Sequence, residues 1–318
     1  MKKLDESEII KIFQDSFGSK SKFFPEDVEI VRLYKTTVIT KSDMLVESTD
    51  VPPGMKTNEI ARKSLVSCIS DFASKGVRPQ YATISLSIPK KFSAAKIKKL
   101  ARGFSKATKE FGLKIVGGDV NEGKELAINV SIIGTAKKIV TRRGAKSNDI
   151  IITSGPFGYS SAGLRMILGN VKAPSQVAKK FKKMVFTPTP KLGFGLAVRK
   201  YLSSSMDSSD GLSSTTYDMS RQSKKKFIIT RLPTDSNVIE FSRRNRISLI
   251  DLVFNGGEEY EIVATVPPKN IAKVRQIAKK KKVKLFEIGY VTRGSGVVLR
   301  QNTKTIKIRA GGWLHFKS

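Results

Sequence analysis

Hydrophobic and polar positions along the chain change period several times, and each change marks an element. Ala61, Leu65, Cys68 and Phe72 recur at i, i+4, i+7 and i+11, the apolar stripe of a helix. That helix begins near Thr57 or Asn58, either a fair N-cap, and stops at Gly76. Tyr81–Leu86 alternates apolar and polar side chains as a strand does, and Pro89 ends it. A basic amphipathic helix over 94–110 closes at Gly112. Strands follow at Leu113–Val116, which meets Gly117-Gly118-Asp119, and at Leu126–Ile133, ending at Gly134. Upstream, residues 1–15 read as an amphipathic helix, and Val38–Thr40 as a strand leading into Ser42-Asp43-Met44-Leu45.

The chain turns at Thr141–Gly144, and a second series opens with Asp149–Thr153. It holds a glycine-rich turn at Gly155–Gly163 with a helix after it, a break at Pro188 and Pro190, and a helix through 192–203. Strands at Phe227–Thr230 and Tyr260–Val266 flank the turn Asn255-Gly256-Gly257. Strands mixed with helices in both halves predict an α/β (α+β) chain of two domains, residues 1–138 and 139–318. A length of 318 residues suits two domains better than one.

Composition narrows the chemistry. Apolar residues make up 39% and charged residues 27%, a globular balance. No stretch reaches the ~20 apolar residues of a membrane span, and residues 1–15 carry acids among their apolar positions, unlike a signal peptide. A soluble, cytoplasmic protein is expected. Cys68 is the one cysteine and His315 the one histidine, so neither a disulfide nor a zinc site can be assembled within the chain. Catalysis must then rest on carboxylates, lysines, arginines and bound metal.

Fifty-nine basic residues face 27 acidic ones, a net charge of +32 that attracts polyanions. The basic clusters are spread over Lys90–Lys109, Lys179–Lys183, Lys224–Lys226, Arg243–Arg246 and Lys279–Lys284. Several alternate with apolar residues at helical spacing, as around Ile271, Val274, Ile277 and Ala278, which describes solvated helix faces. No zinc-finger or RNA-recognition signature accompanies them, so nucleic acid is a conceivable but not a favoured partner.

With acids scarce, their positions matter. Asp43 follows a short strand, Asp119 a strand and two glycines, and Asp207 and Asp210 flank a serine pair. Asp71 sits in an otherwise apolar helix, where a charge is costly unless paired or metal-bound, and Asp27 precedes another apolar run. Carboxylate oxygens at the ends of elements suit Mg²⁺, a hard cation that also takes phosphate oxygens. Each has a plainer role open to it: helix caps for Asp207 or Asp210, a turn for Asp119, a lysine partner for Asp71. Gly117-Gly118 allows close backbone approach, and Gly155–Gly158 opens a helix whose N-terminus could hold an anion. Neither matches the P-loop or the dinucleotide-binding pattern.

Taken in order, these segments resemble the thiamine-monophosphate kinase family. Ser42–Glu47, Ser70–Gly76 and Val116–Asp119 are similar to motifs of its N-terminal domain. Arg142–Ala145, Asp207–Leu212, Gly256–Glu261 and Gly312–Phe316 continue the likeness through the second. The resemblance implies ATP as co-substrate, several Mg²⁺ ions, thiamine monophosphate as acceptor, and a homodimer paired through the N-terminal domains. It implies metal ligation by Asp27, Ser42, Asp43, Asp71, Asp119, Asp207 and Asp210, with Asp71, Asp119 and Asp210 central to catalysis. Gly118, Arg143 and Ser209 would contact ATP, while Asp50, Glu258 and Trp313 would meet the acceptor.

The chain departs from the family pattern in places. Pro25-Glu26-Asp27-Val28-Glu29 stands for Gly-Asp-Asp-Ala-Ala, and Lys41-Ser42 for a threonine pair, setting a cation where a metal ligand is expected. Asp50 replaces a substrate-contacting histidine, and Glu259 an aspartate. The number of metals and the acceptor therefore stay open. The superfamily also holds aminoimidazole ribonucleotide synthase, selenophosphate synthase and a hydrogenase-maturation enzyme; the reactive cysteines of the last two are absent here. A member turned to nucleic-acid binding is the remaining alternative.

Overall fold

A computed structural model of the chain describes residues 4–17, 26–169, 171–301 and 304–312. Its N-terminal half runs α1 (Glu6–Ser16), β1 (Glu29–Leu33), β2 (Thr36–Val46), α2 (Glu47–Asp50), α3 (Thr57–Lys75), β3 (Pro79–Pro89), α4 (Ala94–Phe111), β4 (Lys114–Gly123) and β5 (Ala127–Thr135). These strands form one sheet in the order β1-β2-β5-β3-β4, antiparallel except where β3 meets β4. The C-terminal half opens with β6 (Ile150–Thr153), α5 (Tyr159–Leu168), α6 (Ser175–Phe186), α7 (Leu192–Val198), β7 (Ser204–Met206) and α8 (Leu212–Ser223). It continues through β8 (Lys226–Ile229), α9 (Ser236–Arg244), α10 (Leu249–Phe254), β9 (Val263–Val266), α11 (Ile271–Lys280), β10 (Phe286–Thr292), β11 (Val297–Gln301) and β12 (Lys304–Ile308). Its sheet has the order β12-β11-β8-β10-β6-β9-β7, with only the β11/β8 pair parallel. Mixed sheets carrying helices in each half are the α+β architecture predicted.

The helix α3 joins the halves. It ends, as expected, at Gly76, whose φ of 66° is the left-handed C-terminal conformation glycine favours. Its start is fixed by Glu59, whose carboxylate accepts the Lys56 N–H at 2.7 Å. The expected single apolar stripe needs correction, because α3 is buried on nearly every side, with Ser70, Asp71, Ser74 and Lys75 enclosed as well. One side packs with Leu65, Ile69 and Phe72 against Ile39, Val130 and Ile132 of the first sheet. Such fully buried side chains each contribute roughly 1.5–3 kcal/mol. Further round, Ala73 joins Ile152, Phe194 and Ile262 of the C-terminal half. The crossing with α7 is so close that a Cβ on Gly195 would lie 1.9 Å from the Ala73 carbonyl oxygen. Polar groups at the end of α3 are thereby held between two packed bodies.

Other expectations shift in extent. The strand begun at Val38 runs unbroken to Val46. Gly117-Gly118-Asp119 lies within β4 rather than after it, and a Cβ on Gly118 would come 1.8 Å from the Ile84 carbonyl oxygen of β3. That glycine is demanded by strand packing. The helix expected through 203 stops at Val198 and tightens into a 3₁₀ turn at Arg199–Tyr201, and β9 starts at Val263, not at Tyr260. Lysines of α4 and α11 such as Lys96, Lys99, Lys273 and Lys279 are exposed, the solvated faces expected. Among the described residues, no helix is long and apolar enough to cross a membrane.

Candidate active site

Side-chain alternation along β2 puts Ile39, Lys41, Asp43 and Leu45 on the face that packs beneath α3. The end of α3 adds Asp71, and the turn between β7 and α8 adds Asp207. Carboxylate oxygens of Asp27, Asp71 and Asp207 gather within 4.8 Å of one another, all three residues buried. A cleft of about 1090 Å³ opens over them, walled by Asp43, Asp50, Lys63, Ser209, Asp210 and Glu258 among others.

The cations of the site are unevenly shared. Asp27 is saturated: Lys75 reaches its Oδ2 at 2.7 Å, Ser74 donates to the same oxygen, and Arg142 donates to Oδ1. Burial alone would raise this carboxyl, but the charges of Lys75 and Arg142 outweigh it and hold Asp27 below the ordinary range. Lys75 also meets Glu26 at 2.7 Å and donates to the Ser205 carbonyl at 2.8 Å, so its fully buried ammonium is well satisfied. Asp71 has Lys41 at 3.2 Å, and Asp43 shares that ammonium at 3.6 Å. Burial works against the Lys41 charge, yet Asp71 and Asp43 keep it protonated well above the usual lysine range.

Asp207 is the poorest in cations. It accepts from the Ser70 hydroxyl at 2.7 Å, and burial followed by the Asp27 charge pushes its carboxyl up to about 6. Burial likewise raises Asp71, with Lys41 opposing and the charges of Asp207, Asp43 and Asp27 adding to the rise. Like charges crowded in a dry site call for a cation. The donor set is all carboxylate oxygen, which fits a hard divalent ion such as Mg²⁺. Asp71 and Asp207 are the residues that would hold it, with Asp43 on the cleft wall paired to Lys41.

Of the residues the sequence singled out, Asp43, Asp50, Asp71, Asp207, Ser209, Asp210 and Glu258 come together around the cleft. Asp27 lies behind it, in the buried cluster. Ser42 and Asp119 do not join them. Ser42 pairs with Ser131 on β5 and Asp119 with Ser85 on β3, on the sheet face turned away from α3. There Ser42 donates to Asn129 at 3.2 Å, and Asn121 donates to Asp119 at 3.4 Å. Gly118 is in the same edge strand. Arg143 is exposed, its carbonyl accepting from Thr141, while its neighbour Arg142 reaches into the acidic cluster instead. Trp313 and His315 lie outside the described residues.

Two plainer readings fare differently. Asp71 does take a lysine partner, Lys41. The N-cap residue of α8 is Gly211 rather than Asp207 or Asp210. The N-terminus of α5, which could have held an anion, is taken by the protein's own Glu259 carboxyl, which accepts the Gly158 and Ser160 N–H groups at 2.7 and 3.0 Å. Residues to which the sequence reading gave no role are Glu26, Lys63, Lys75 and Arg142. Lys63 is buried, donates to the Asp50 carbonyl at 2.9 Å and meets Glu258 at 2.6 Å. For Lys63 and Lys75 the signal was their spacing from Asp71 at multiples of four along one helix, whereas Glu26 and Arg142 carried none.

Known proteins bear on this geometry. The pattern of the AIR synthase related protein, N-terminal domain, matches residues 25–136. The thiamine-monophosphate kinase of Nitrosopumilus maritimus (strain SCM1) is 49% identical over 317 residues, 100% of both chains. That of Pyrococcus horikoshii is 30% identical, covering 100% of this chain and 98% of its own. The structure of AaThiL complexed with AMPPCP and TMP superposes with a TM-score of 0.85 at 24% identity, over 98% of this chain and 97% of that one, which establishes the shared fold. With its whole length aligned to such relatives, the chain belongs to the thiamine-monophosphate kinase family.

Proposed function

We propose that the protein transfers the terminal phosphoryl group of ATP to thiamine monophosphate, giving ADP and thiamine diphosphate. One observation carries this: the 49% identity, over both full lengths, with a thiamine-monophosphate kinase. The cleft supports it chemically. An acceptor phosphate is already largely ionised at neutral pH, so its oxygen can attack the γ-phosphorus while the bond to the ADP oxygen breaks, with no strong general base. A site without histidine among its described residues suits that step.

The difficulty is electrostatic, since two polyanions must meet beside carboxylates. Mg²⁺ held by Asp71 and Asp207 would supply the neutralising charge there. Asp27 stays out of direct competition because Lys75 and Arg142 occupy its oxygens, so its proposed part is to shape the cluster from behind. Ser209 and Asp210 are proposed to face the nucleotide, and Asp50 and Glu258, beside Lys63, the acceptor.

The protein is further proposed to be a cytoplasmic homodimer, with residues 1–138 and 139–318 as its domains. The outer face of the first sheet supports the dimer: Met44, Tyr81 and Ile133 stand there 63%, 47% and 38% exposed. Ser42, Gly118 and Asp119 share that sheet, so their proposed roles toward metal and nucleotide depend on the second copy. A coupled assay of ADP release tests the function. Release should need both thiamine monophosphate and Mg²⁺ and should not follow with unphosphorylated thiamine. Release indifferent to thiamine monophosphate would overturn the acceptor assignment.

A further inference from the structure

Lys41 is the one residue of β2's inner face whose charge is opposite to the site it enters. Its ammonium lies 3.2 Å from Asp71 Oδ2 and 3.6 Å from Asp43 Oδ1. Asp71 is in turn a member of the buried triad with Asp27 and Asp207. The side chain remains 26% exposed, so the charge sits at the boundary between the triad and the open cleft.

Around this cluster the protein's own cations cover two edges and leave a third. Lys75 and Arg142 close the far side by engaging Asp27. Lys41 closes the edge between Asp43 and Asp71. Asp207, which accepts from the neutral Ser70 hydroxyl, is left open to a bound ion. A divalent ion placed between Asp43 and Asp71 would have to sit against the Lys41 ammonium, and the two cations would repel. At the neighbouring edge formed by Asp71 and Asp207 the conflict is weaker, because Lys41 pairs with Asp71 but not directly with Asp207.

We propose that Lys41 is a tethered cation that takes the place of one divalent ion between Asp43 and Asp71. The protein would then bind one ion fewer than its carboxylates could otherwise hold. An ammonium has three donors. The ammonium meets Asp71 at 3.2 Å and Asp43 at 3.6 Å as ion pairs, which leaves donor capacity for an anionic oxygen in the cleft. Lys41 is thus a positioning residue for the carboxylates and a fixed positive charge beside the transferred group. The inference rests on the kinase reading for the identity of that group, but its test does not.

The test counts bound metal. Wild-type protein and Lys41→Met, which keeps the length of the side chain without its charge, are titrated with Mn²⁺ and the free ion is followed by electron paramagnetic resonance. The titration is run without nucleotide and again with AMPPCP. Lys41→Met is expected to bind an additional Mn²⁺ per chain, or to bind its tightest Mn²⁺ at least ~10-fold more strongly because two carboxylates lose their competitor. Melting curves supply a second measurement. Without divalent ions the variant should melt below wild type, and saturating Mn²⁺ should close that gap. Equal stoichiometry and affinity in the two proteins would overturn the proposal, as would a melting deficit that Mn²⁺ does not repair. Lys41→Asn, smaller and also neutral, repeats the count if Lys41→Met does not fold. Formation of thiamine diphosphate by the wild type is judged separately, so loss of the kinase reading and loss of the tethered-cation reading give different results.

Discussion

Replacing Lys75 by methionine removes a buried charge while nearly conserving volume. The ammonium is fully enclosed and lies 2.7 Å from both Glu26 and Asp27, with the Ser205 carbonyl at 2.8 Å. Breaking a buried pair by deleting one partner costs about 3–5 kcal/mol, because the other charge stays behind uncompensated. Compensation here is partial. Arg142 still holds Asp27 through its side chain and Glu26 through its backbone N–H at 2.9 Å, which places the cost near the lower end, about 3 kcal/mol. At about 2–3 °C per kcal/mol for a large domain, the melting temperature should fall by ~6–9 °C. The sign with pH follows from Asp27. Its carboxyl is lowered below 3.8 in the folded state, so the stability it contributes is present above that value and is lost as the pH falls through the folded pKa. The gap between wild type and Lys75→Met should therefore be widest near neutrality and shrink in acid. Circular dichroism melts at several pH values measure it, with exposed Lys99→Met as the control expected to change nothing. A loss below ~2 °C at neutral pH would show that the buried cluster is not the junction described.

Three further outcomes are expected. Asp71→Asn should lower kcat by at least ~100-fold while leaving the melting curve cooperative, as loss of a charge-stabilising metal ligand does; near-normal turnover would remove Asp71 from the site. Glu259, raised to about 8 by burial against the pull of the Ser160 and Gly158 N–H groups, holds a proton in the folded protein that the unfolded chain releases above about 4.5. Stability should thus decline as pH rises from the unfolded value through about 8, and Glu259→Gln should flatten that decline in thermal melts. Gly195→Ala, whose Cβ would meet the Ala73 carbonyl oxygen at 1.9 Å, should cost ~1–3 kcal/mol by forcing α7 off α3, and a neutral result in denaturant titration would contradict the close crossing.

Local elements were legible because their signals are local. The capping glycines Gly76 and Gly112 and the amphipathic face of α4 sit where the sequence places them. Asp71 was legible as a site residue for a related reason, as a charge among apolar neighbours. Long-range geometry was not. Nothing in Lys75 or Arg142 announces that helix and turn bring them onto Asp27, 48 and 115 positions away respectively by number along the chain. The strand β4 reads from sequence as ending at Val116 because glycine signals both a bend and a close approach, and only the β3 backbone decides between them. Strand alternation then turns Ser42 and Asp119 to the outer face, a consequence of register that family likeness alone does not convey.

The most direct measurement is chemical. Purified protein incubated with Mg-ATP and thiamine monophosphate should yield ADP and thiamine diphosphate in equal amounts by chromatography, and EDTA should abolish both. Intact thiamine monophosphate after prolonged incubation with folded, ATP-binding protein would contradict the proposed reaction and move the search to another phosphorylated acceptor.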